Sequence, residues 1–471
     1  MANTSGFRGA KRLGYCGGIL TESLVYNMFY TYYLVFLTDV VKMAPLLAST
    51  ISLVSVLWDA VTDPIIGYYA DKGKSDKRKF MARSLFPMAV TFVAAFVPLG
   101  NLPQGGKFVF YIAMTMLFWL FYTVYTIPYY AVVADITQDY DERTSIRGTS
   151  SLINTAAIAA GNIVPSILPG VFAGLLVSAA MGWLLTAVVI SVVATVFGVL
   201  CVLSLRGVTL RRETTVEEKG KWTDIFKTFG EVMKLKPFKN FVLFIFCFLA
   251  ASSMLQTNIV YMIKDCIQVD YDTYVAVFIV GLVVVMAAVI PLVTKIAEKT
   301  DRRLTCIIFF SITFVGLLAS KFIGLRPGSI VMLVTQPVFM GIAGGAFWTL
   351  FYSMAYDLVE IDEFVSGKRR ESVITAFPQF IQKFGAAIGM WLAGLVLQLT
   401  GYDPSLTVQS AKTIDGIESV STLFPACFLA LSILGLVLYP VTKARFNKLT
   451  EQLAHKRAGE PYSTEGFEKL I

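Results

Sequence analysis

Leu57-Trp58-Asp59-Ala60-Val61-Thr62-Asp63-Pro64-Ile65-Ile66-Gly67 sets two carboxylates, four residues apart, inside an apolar run that extends from residue 44 to residue 70. Bilayer hydrocarbon is about 30 Å thick and takes roughly 20 apolar residues in a helix. Eleven more runs of similar character flank this one, at 13–41, 82–100, 108–134, 149–172, 179–205, 241–263, 274–292, 304–323, 330–356, 372–399 and 423–441. The sequence therefore predicts an all-α membrane protein with 12 transmembrane helices. Hydrophobic residues make up 56% of the 471 positions and charged residues 15%, with a mean hydropathy of +0.67. Soluble domains run at about 25% charged residues, so this chain lacks the polar material to coat a surface facing water. Strands of a membrane barrel alternate over about 10 residues, whereas these runs are continuous. The first run is too long for the core of a secretory signal and has no small-residue cleavage site behind it, so it reads as a retained helix.

Positive charge orients the stack. The N-terminus, the loops after even-numbered runs and the C-terminal tail hold 33 of the 40 Lys and Arg residues. The opposite loops hold six, and the remaining one, Lys383, lies inside the eleventh run. Both termini are predicted to be cytoplasmic, in a plasma (inner) membrane protein. Topology thus accounts for much of the net charge of +8, and no nucleic-acid partner is inferred. The six cysteines are scattered without paired spacing and read as small core residues. The only histidine, His455, falls in the charged tail. No nucleophile or metal-ligand motif is present, so neither an enzyme nor a resident cofactor is expected.

The longest loop, 206–239, separates two sets of six runs, 1–205 and 240–442, and a tail covers 443–471. Within that loop, 222–233 is amphipathic and is expected to lie on the cytoplasmic face. The two halves carry matched features. Gly-Tyr-Tyr-Ala-Asp-Lys (67–72) with Arg78 has its counterpart in Lys-Ile-Ala-Glu-Lys-Thr-Asp-Arg-Arg (295–303), which makes Asp71, Arg78, Asp301 and Arg302 candidate latch residues. Tyr130, Asp135 and Asp141-Glu142 recur as Tyr352, Asp357 and Asp362-Glu363. Two duplicated six-helix bundles that rock about a midplane site form the major facilitator pattern.

Ionisable groups inside a span usually face a cavity or a partner, because burial at the bilayer centre costs at least about 2.5–3.5 kcal/mol. Asp59 and Asp63 share one helix face by their spacing. Two like charges so close raise each other's pKa, and a bound cation, a shared proton or a lysine relieves the conflict. Lys383 is the natural partner by sequence, and an Asp–Asp–Lys cluster of charge −1 is neutralised by one Na⁺, Li⁺ or H⁺. A purely structural ion-pair network is the alternative. Span 4 adds Trp119, Tyr122, Tyr125, Tyr129 and Tyr130, and span 1 adds Glu22, Tyr26 and Tyr30. Aromatics with hydroxyls can stack on and hydrogen-bond a sugar ring; at span edges they instead form the interfacial belt. Asn154, Asn162, Gln256, Asn258, Gln336, Gln379 and Gln382 could recognise hydroxyls or simply bond helix to helix.

Asp59-Ala-Val-Thr-Asp63-Pro-Ile-Ile-Gly67 resembles the glycoside–pentoside–hexuronide:cation symporters, the family of melibiose permease. Segments 32–41, 122–130 and 371–386 agree. The resemblance implies a cation site of Asp59, Asp63 and Thr123, with Lys383 nearby as the coupling residue. It departs at Thr62, where melibiose permease has an asparagine that contributes to sodium recognition. It departs again at Ser23 and Thr126, which stand where two aspartates grip a galactosyl ring. The arginine of helix 5 falls near Ser151, with Arg147 one turn away, and Tyr130 replaces a stacking tryptophan. An α-galactoside is therefore a poor fit, and a uronide is disfavoured by the scarcity of deep basic residues.

The expected function is cation-coupled import of a sugar or glycoside by alternating access. Asp59, Asp63, Thr123 and Thr62 are the candidate cation ligands. Tyr130, Tyr26, Thr126, Ser23, Gln379 and Arg147 are the candidate substrate contacts. The rival expectation is a carrier for an amphiphile such as a lysolipid.

Overall fold

The computed structural model of the chain describes residues 9–72, 77–136, 140–176, 178–208, 230–269, 271–323, 330–367, 371–465 and 467. Among them, every regular element is helical. In chain order these are α1 (Ala10–Val35, continued by a π turn, Phe36–Val40), α2 (Pro45–Lys72), α3 (Lys77–Ala95), α4 (Gln104–Ile136), α5 (Tyr140–Leu176) and α6 (Ala179–Ser204). They are followed by α7 (Lys236–Tyr261, continued by a π turn, Met262–Ile267), α8 (Tyr271–Lys299), α9 (Arg302–Ile323), α10 (Ile330–Ser366) and α11 (Glu371–Thr400). Last come α12 (Ala411–Ser421), α13 (Leu423–Leu438) and α14 (Lys443–Ala458).

A helix stands at each of the twelve apolar runs. Ten segments among the described residues are long and apolar enough to cross a membrane, against the twelve expected. The two that fall short are α1 and α3. α1 carries Lys11, Arg12, Glu22 and a row of Tyr, Thr and Asn, and α3 opens on Lys77, Arg78, Lys79 and Arg83. The last segment runs over Ala411–Leu438, beginning before the run at 423 and broken at Thr422. Several helices outlast their apolar runs, α10 by ten residues, because hydropathy marks only the part suited to lipid while hydrogen bonding continues through the charged turns beyond. The amphipathic stretch expected at 222–233 lies outside the described residues as far as position 229.

The chain forms two compact units. The first comprises Met1–Lys219, Asp270–Ala276 and Leu397–Gln409, and the second comprises Gly220–Val269, Val277–Val396 and Ser410–Ile471. In the first unit α1 packs on α5 and α6, and α4 packs on α2 and α3. A polar ladder joins α1 to α5. Ser23 bonds Asn154, Asn27 accepts from Asn162 Nδ2 at 3.1 Å, and Thr31 Oγ1 donates to Asn162 Oδ1 at 2.7 Å. Gly161 lets the backbones approach, since a Cβ there would sit 3.1 Å from the Ser23 carbonyl oxygen. Without water in the bilayer, helices associate through such small residues and interhelical hydrogen bonds.

In the second unit α7 packs on α13, and α9 packs on α10 and α13. Stacked phenylalanines fill the core, with Phe248 and Phe347 rings 4.2 Å apart. Gly385 and Gly389 admit α11 against α7: a Cβ at 385 would lie 2.6 Å from the Phe246 carbonyl oxygen, and one at 389 would overlap that of Ala250. Asn258 Nδ2 donates to Ile417 O at 2.8 Å and Ser421 Oγ at 2.7 Å, so it bonds helix to helix. The tail helix α14 buries Leu449 and Leu453 and docks on the end of α10, where Arg457 grips both Glu363 oxygens at 2.8 and 2.7 Å.

Candidate functional site

α2 and α4 pack together so that three oxygens converge. Thr123 Oγ1 lies 2.7 Å from Asp59 Oδ1 and 3.2 Å from Asp63 Oδ1. Thr123 and Asp59 are buried, and Asp63 is half-buried. The four-residue spacing makes this possible by setting both carboxylates on one face of α2. A hydroxyl has one proton to donate, so it cannot satisfy two carboxylates equally. Carboxylate and hydroxyl oxygens set together in this way suit a single proton or a hard monovalent cation, which prefers oxygen ligands. Thr62 is buried on the same helix, but its hydroxyl donates back to the Asp59 main-chain carbonyl at 3.1 Å.

Aromatic rings adjoin the carboxylates. Tyr26 and Tyr30 stack with centroids 4.2 Å apart, and both meet Trp119 edge-on at 6.0 Å. Trp119 precedes Thr123 by one turn of α4. Tyr130 is 37% exposed, and its hydroxyl donates to Glu22 Oε1 at 2.8 Å. Hence Glu22, Tyr26, Tyr30, Trp119, Tyr122 and Tyr130 form one patch with rings, hydroxyls and a carboxylate, the equipment for a polyhydroxylated solute. Thr126 is buried on the same helix. Ser23 is buried and engaged with Asn154.

The other candidates lie elsewhere. Lys383 and Gln379 are on α11 in the second unit, half-buried and exposed respectively. The side chains of Arg147 and Asp71 are outside the described residues. Arg78 Nη1 donates to the carbonyls of Leu205 and Val208 at 2.9 and 3.4 Å, tying α3 to the end of α6. In the second unit Arg302 Nη1 lies 2.5 Å from both oxygens of Asp357, which locks α9 to α10. Asp301 caps α9 by accepting from Leu304 N at 2.6 Å. The pairing of Arg302 with Asp357 is not visible in the basic loop alone. Its signal is the repeated Tyr–Asp spacing at 352 and 357. Trp119 and Tyr30 stand in the sequence only among many span aromatics; the structure sets them edge-on to each other, with Trp119 one turn from Thr123.

A family model described as MFS/sugar transport protein matches residues 14–443. The chain belongs to that family. Like its relatives it is a membrane transporter of the glycoside–pentoside–hexuronide symporter type. It is 26% identical to an isoprimeverose transporter from Lactiplantibacillus pentosus, over 96% of this chain and 92% of the relative. It is 24% identical to a sphingosine-1-phosphate transporter from Xenopus tropicalis, over 87% and 83%. Its fold is similar to that of a bacterial homologue of the human lysosomal transporter Spinster, solved in an inward-facing, occupied conformation. There the TM-score is 0.66 at 13% identity, covering 93% of this chain and 97% of the other. As a member of this family the chain is a transporter of a small solute.

Proposed function

We propose that this family member is a cation-coupled symporter that imports a sugar or glycoside across the plasma membrane by alternating access, with both termini cytoplasmic. The observation that carries the reading is the convergence of Asp59, Asp63 and Thr123 on one point in the first unit. One Na⁺, Li⁺ or H⁺ lowers the repulsion between the carboxylates, which gives the ion a reason to bind before the solute. The adjacent ring-and-hydroxyl patch supplies the solute contacts, with Tyr26 and Tyr130 as stacking surfaces and Thr126 beside them. Lys383, well inside the eleventh apolar run, takes the coupling role, and Arg302 with Asp357 acts as a latch on the second unit. The similarity to an isoprimeverose transporter supports a glycoside as the solute class.

Uptake into vesicles of purified protein tests this. Labelled glycosides, pentosides and uronides are offered under an inward Na⁺ gradient, an inward H⁺ gradient, or neither. The proposal expects one sugar class to accumulate under one gradient. The sphingosine-1-phosphate transporter among the relatives favours a second reading, a carrier for an amphiphile. That reading expects no sugar to move and a lysolipid panel to do so.

A further inference from the structure

α3 presents an exposed stripe whose character changes along its length. Lys79, Arg83, Phe86 and Val90 recur at steps of four, three and four residues, so they share one helix face. All four are exposed, Phe86 to 75%. The stripe opens on two cations and continues as apolar surface. Beside it, α3 and α4 enclose a groove of about 220 Å³ walled by Phe80, Arg83, Ser84, Phe121 and Val124.

The charges at this groove do not cancel. Among the described residues neither Lys79 nor Arg83 makes a hydrogen bond or an ion pair. Arg78 differs, being held by the carbonyls of Leu205 and Val208. No carboxylate lines the groove: α3 has no acidic residue, and the one on α4, Asp135, stands about three turns beyond Val124. Ser84 gives its hydroxyl proton to the Met81 carbonyl at 2.9 Å, so polar recognition falls to Arg83. Arg83 lies inside the apolar run at 82–100, about 6 Å further along the helix than Lys79. A charge carried among apolar groups calls for a counter-charge. A guanidinium matches phosphate oxygens as a fork, and basic pockets between helices near the membrane surface take anionic headgroups. A zwitterionic lipid would bring a cation of its own toward Lys79 and Arg83. We propose that this face binds one anionic glycerophospholipid from the leaflet that meets the start of α3. Arg83 and Lys79 hold its phosphate, and an acyl chain lies in the groove against Phe121 and Val124 and along Phe86. The proposal needs the chain to be a membrane protein and does not depend on its solute or coupling ion.

The test uses the purified full-length protein in detergent, with no solute and no ion gradient. Phosphatidylglycerol and phosphatidylcholine of equal chain length are titrated separately, and bound lipid is counted by native mass spectrometry. Wild type is compared with Arg83→Gln, Val124→Trp and Lys448→Gln. Val124→Trp fills the groove and leaves both cations, which reads the site by a second route should Arg83→Gln disturb the fold. Lys448, exposed on α14, loses the same charge elsewhere. Phosphatidylglycerol is expected to saturate at lower concentration than phosphatidylcholine. Arg83→Gln should weaken it about 10-fold or more, the loss of one charge-assisted contact. Val124→Trp should weaken it as well, and Lys448→Gln should not. Equal binding of the two lipids, phosphatidylglycerol binding unaltered by both Arg83→Gln and Val124→Trp, or an equal loss with Lys448→Gln overturns the proposal.

Discussion

The Thr123 hydroxyl oxygen stands 2.7 Å from Asp59 Oδ1, on a different helix and 64 residues along the chain. The same oxygen is 3.2 Å from Asp63 Oδ1, so a single hydroxyl links α4 to both carboxylates of α2. An ion or proton entering here meets three oxygens already held in place by packed helices. Preorganisation of this kind limits the ordering that binding has to impose.

Removing the hydroxyl should therefore weaken ion binding more than solute binding. A hydrogen bond to a charged group contributes about 1.5–3 kcal/mol, or roughly 10–100-fold in affinity. For Thr123→Val, the coupling-ion concentration that gives half-maximal uptake is expected to rise within that range, while solute exchange persists. Thr123→Ser, which keeps the oxygen, should stay near wild type. Initial rates measured against ion concentration decide the matter. Equal curves for Thr123→Val and wild type would make the hydroxyl structural.

Tyr130→Phe keeps the ring and removes the bond to Glu22 Oε1. Because Tyr130 is partly exposed, the bond competes with water, and its loss is expected to cost about 1 kcal/mol, near the centre of the range for ordinary hydrogen bonds. The half-saturating solute concentration should rise several-fold with little change in maximal rate. Tyr130→Ala removes the stacking face as well and should cost more. Equal effects of the two changes would mean that the ring does not touch the solute.

Arg302→Ala strands the Asp357 carboxylate, whose side chain is only 12% exposed. Breaking a buried pair costs about 3–5 kcal/mol, and the 42% exposure of Arg302 reduces this to about 1–3 kcal/mol. The melting temperature in detergent should fall by several degrees. Adding Asp357→Asn to Arg302→Ala removes the stranded charge and should recover part of that loss. A double variant no more stable than the single one would mean that the pair does not hold α9 to α10.

Gly389→Leu should prevent α11 from seating on α7, because even a Cβ at that position would overlap the Ala250 carbonyl oxygen. Overpacking costs about 1–3 kcal/mol or more. Gly174→Leu is the control, since a Cβ there meets no atom within 4 Å. Loss of folded protein with the first change and not the second is the expected result, read by size-exclusion profile after solubilisation.

The helices and their order were legible from hydropathy because lipid solvent demands a long apolar run for each crossing. α1 and α3 depart from that rule for a physical reason. α1 buries Asn27, Thr31, Tyr32 and Tyr33 against protein rather than lipid, so its composition is that of a protein interior. The carboxylate spacing on α2 foretold a shared face, but not that Thr62 would turn its hydroxyl back to the Asp59 carbonyl. Asn154, Asn162 and Asn258 were open to either solute or helix contacts and Ser23 was expected to touch solute, and in the structure each bonds a neighbouring helix. Sequence could not choose between them because these side chains satisfy a helix partner and a sugar hydroxyl with the same atoms.

The most direct test of the central claim separates coupling from passage. With the solute identified by the uptake panel, concentrative uptake under the ion gradient and solute exchange without a gradient are measured for wild type, Asp59→Asn and Asp63→Asn. If these carboxylates hold the coupling ion, accumulation is lost in both variants while exchange survives in at least one. Accumulation at the wild-type level in both would contradict the account and leave Asp59 and Asp63 as structural charges.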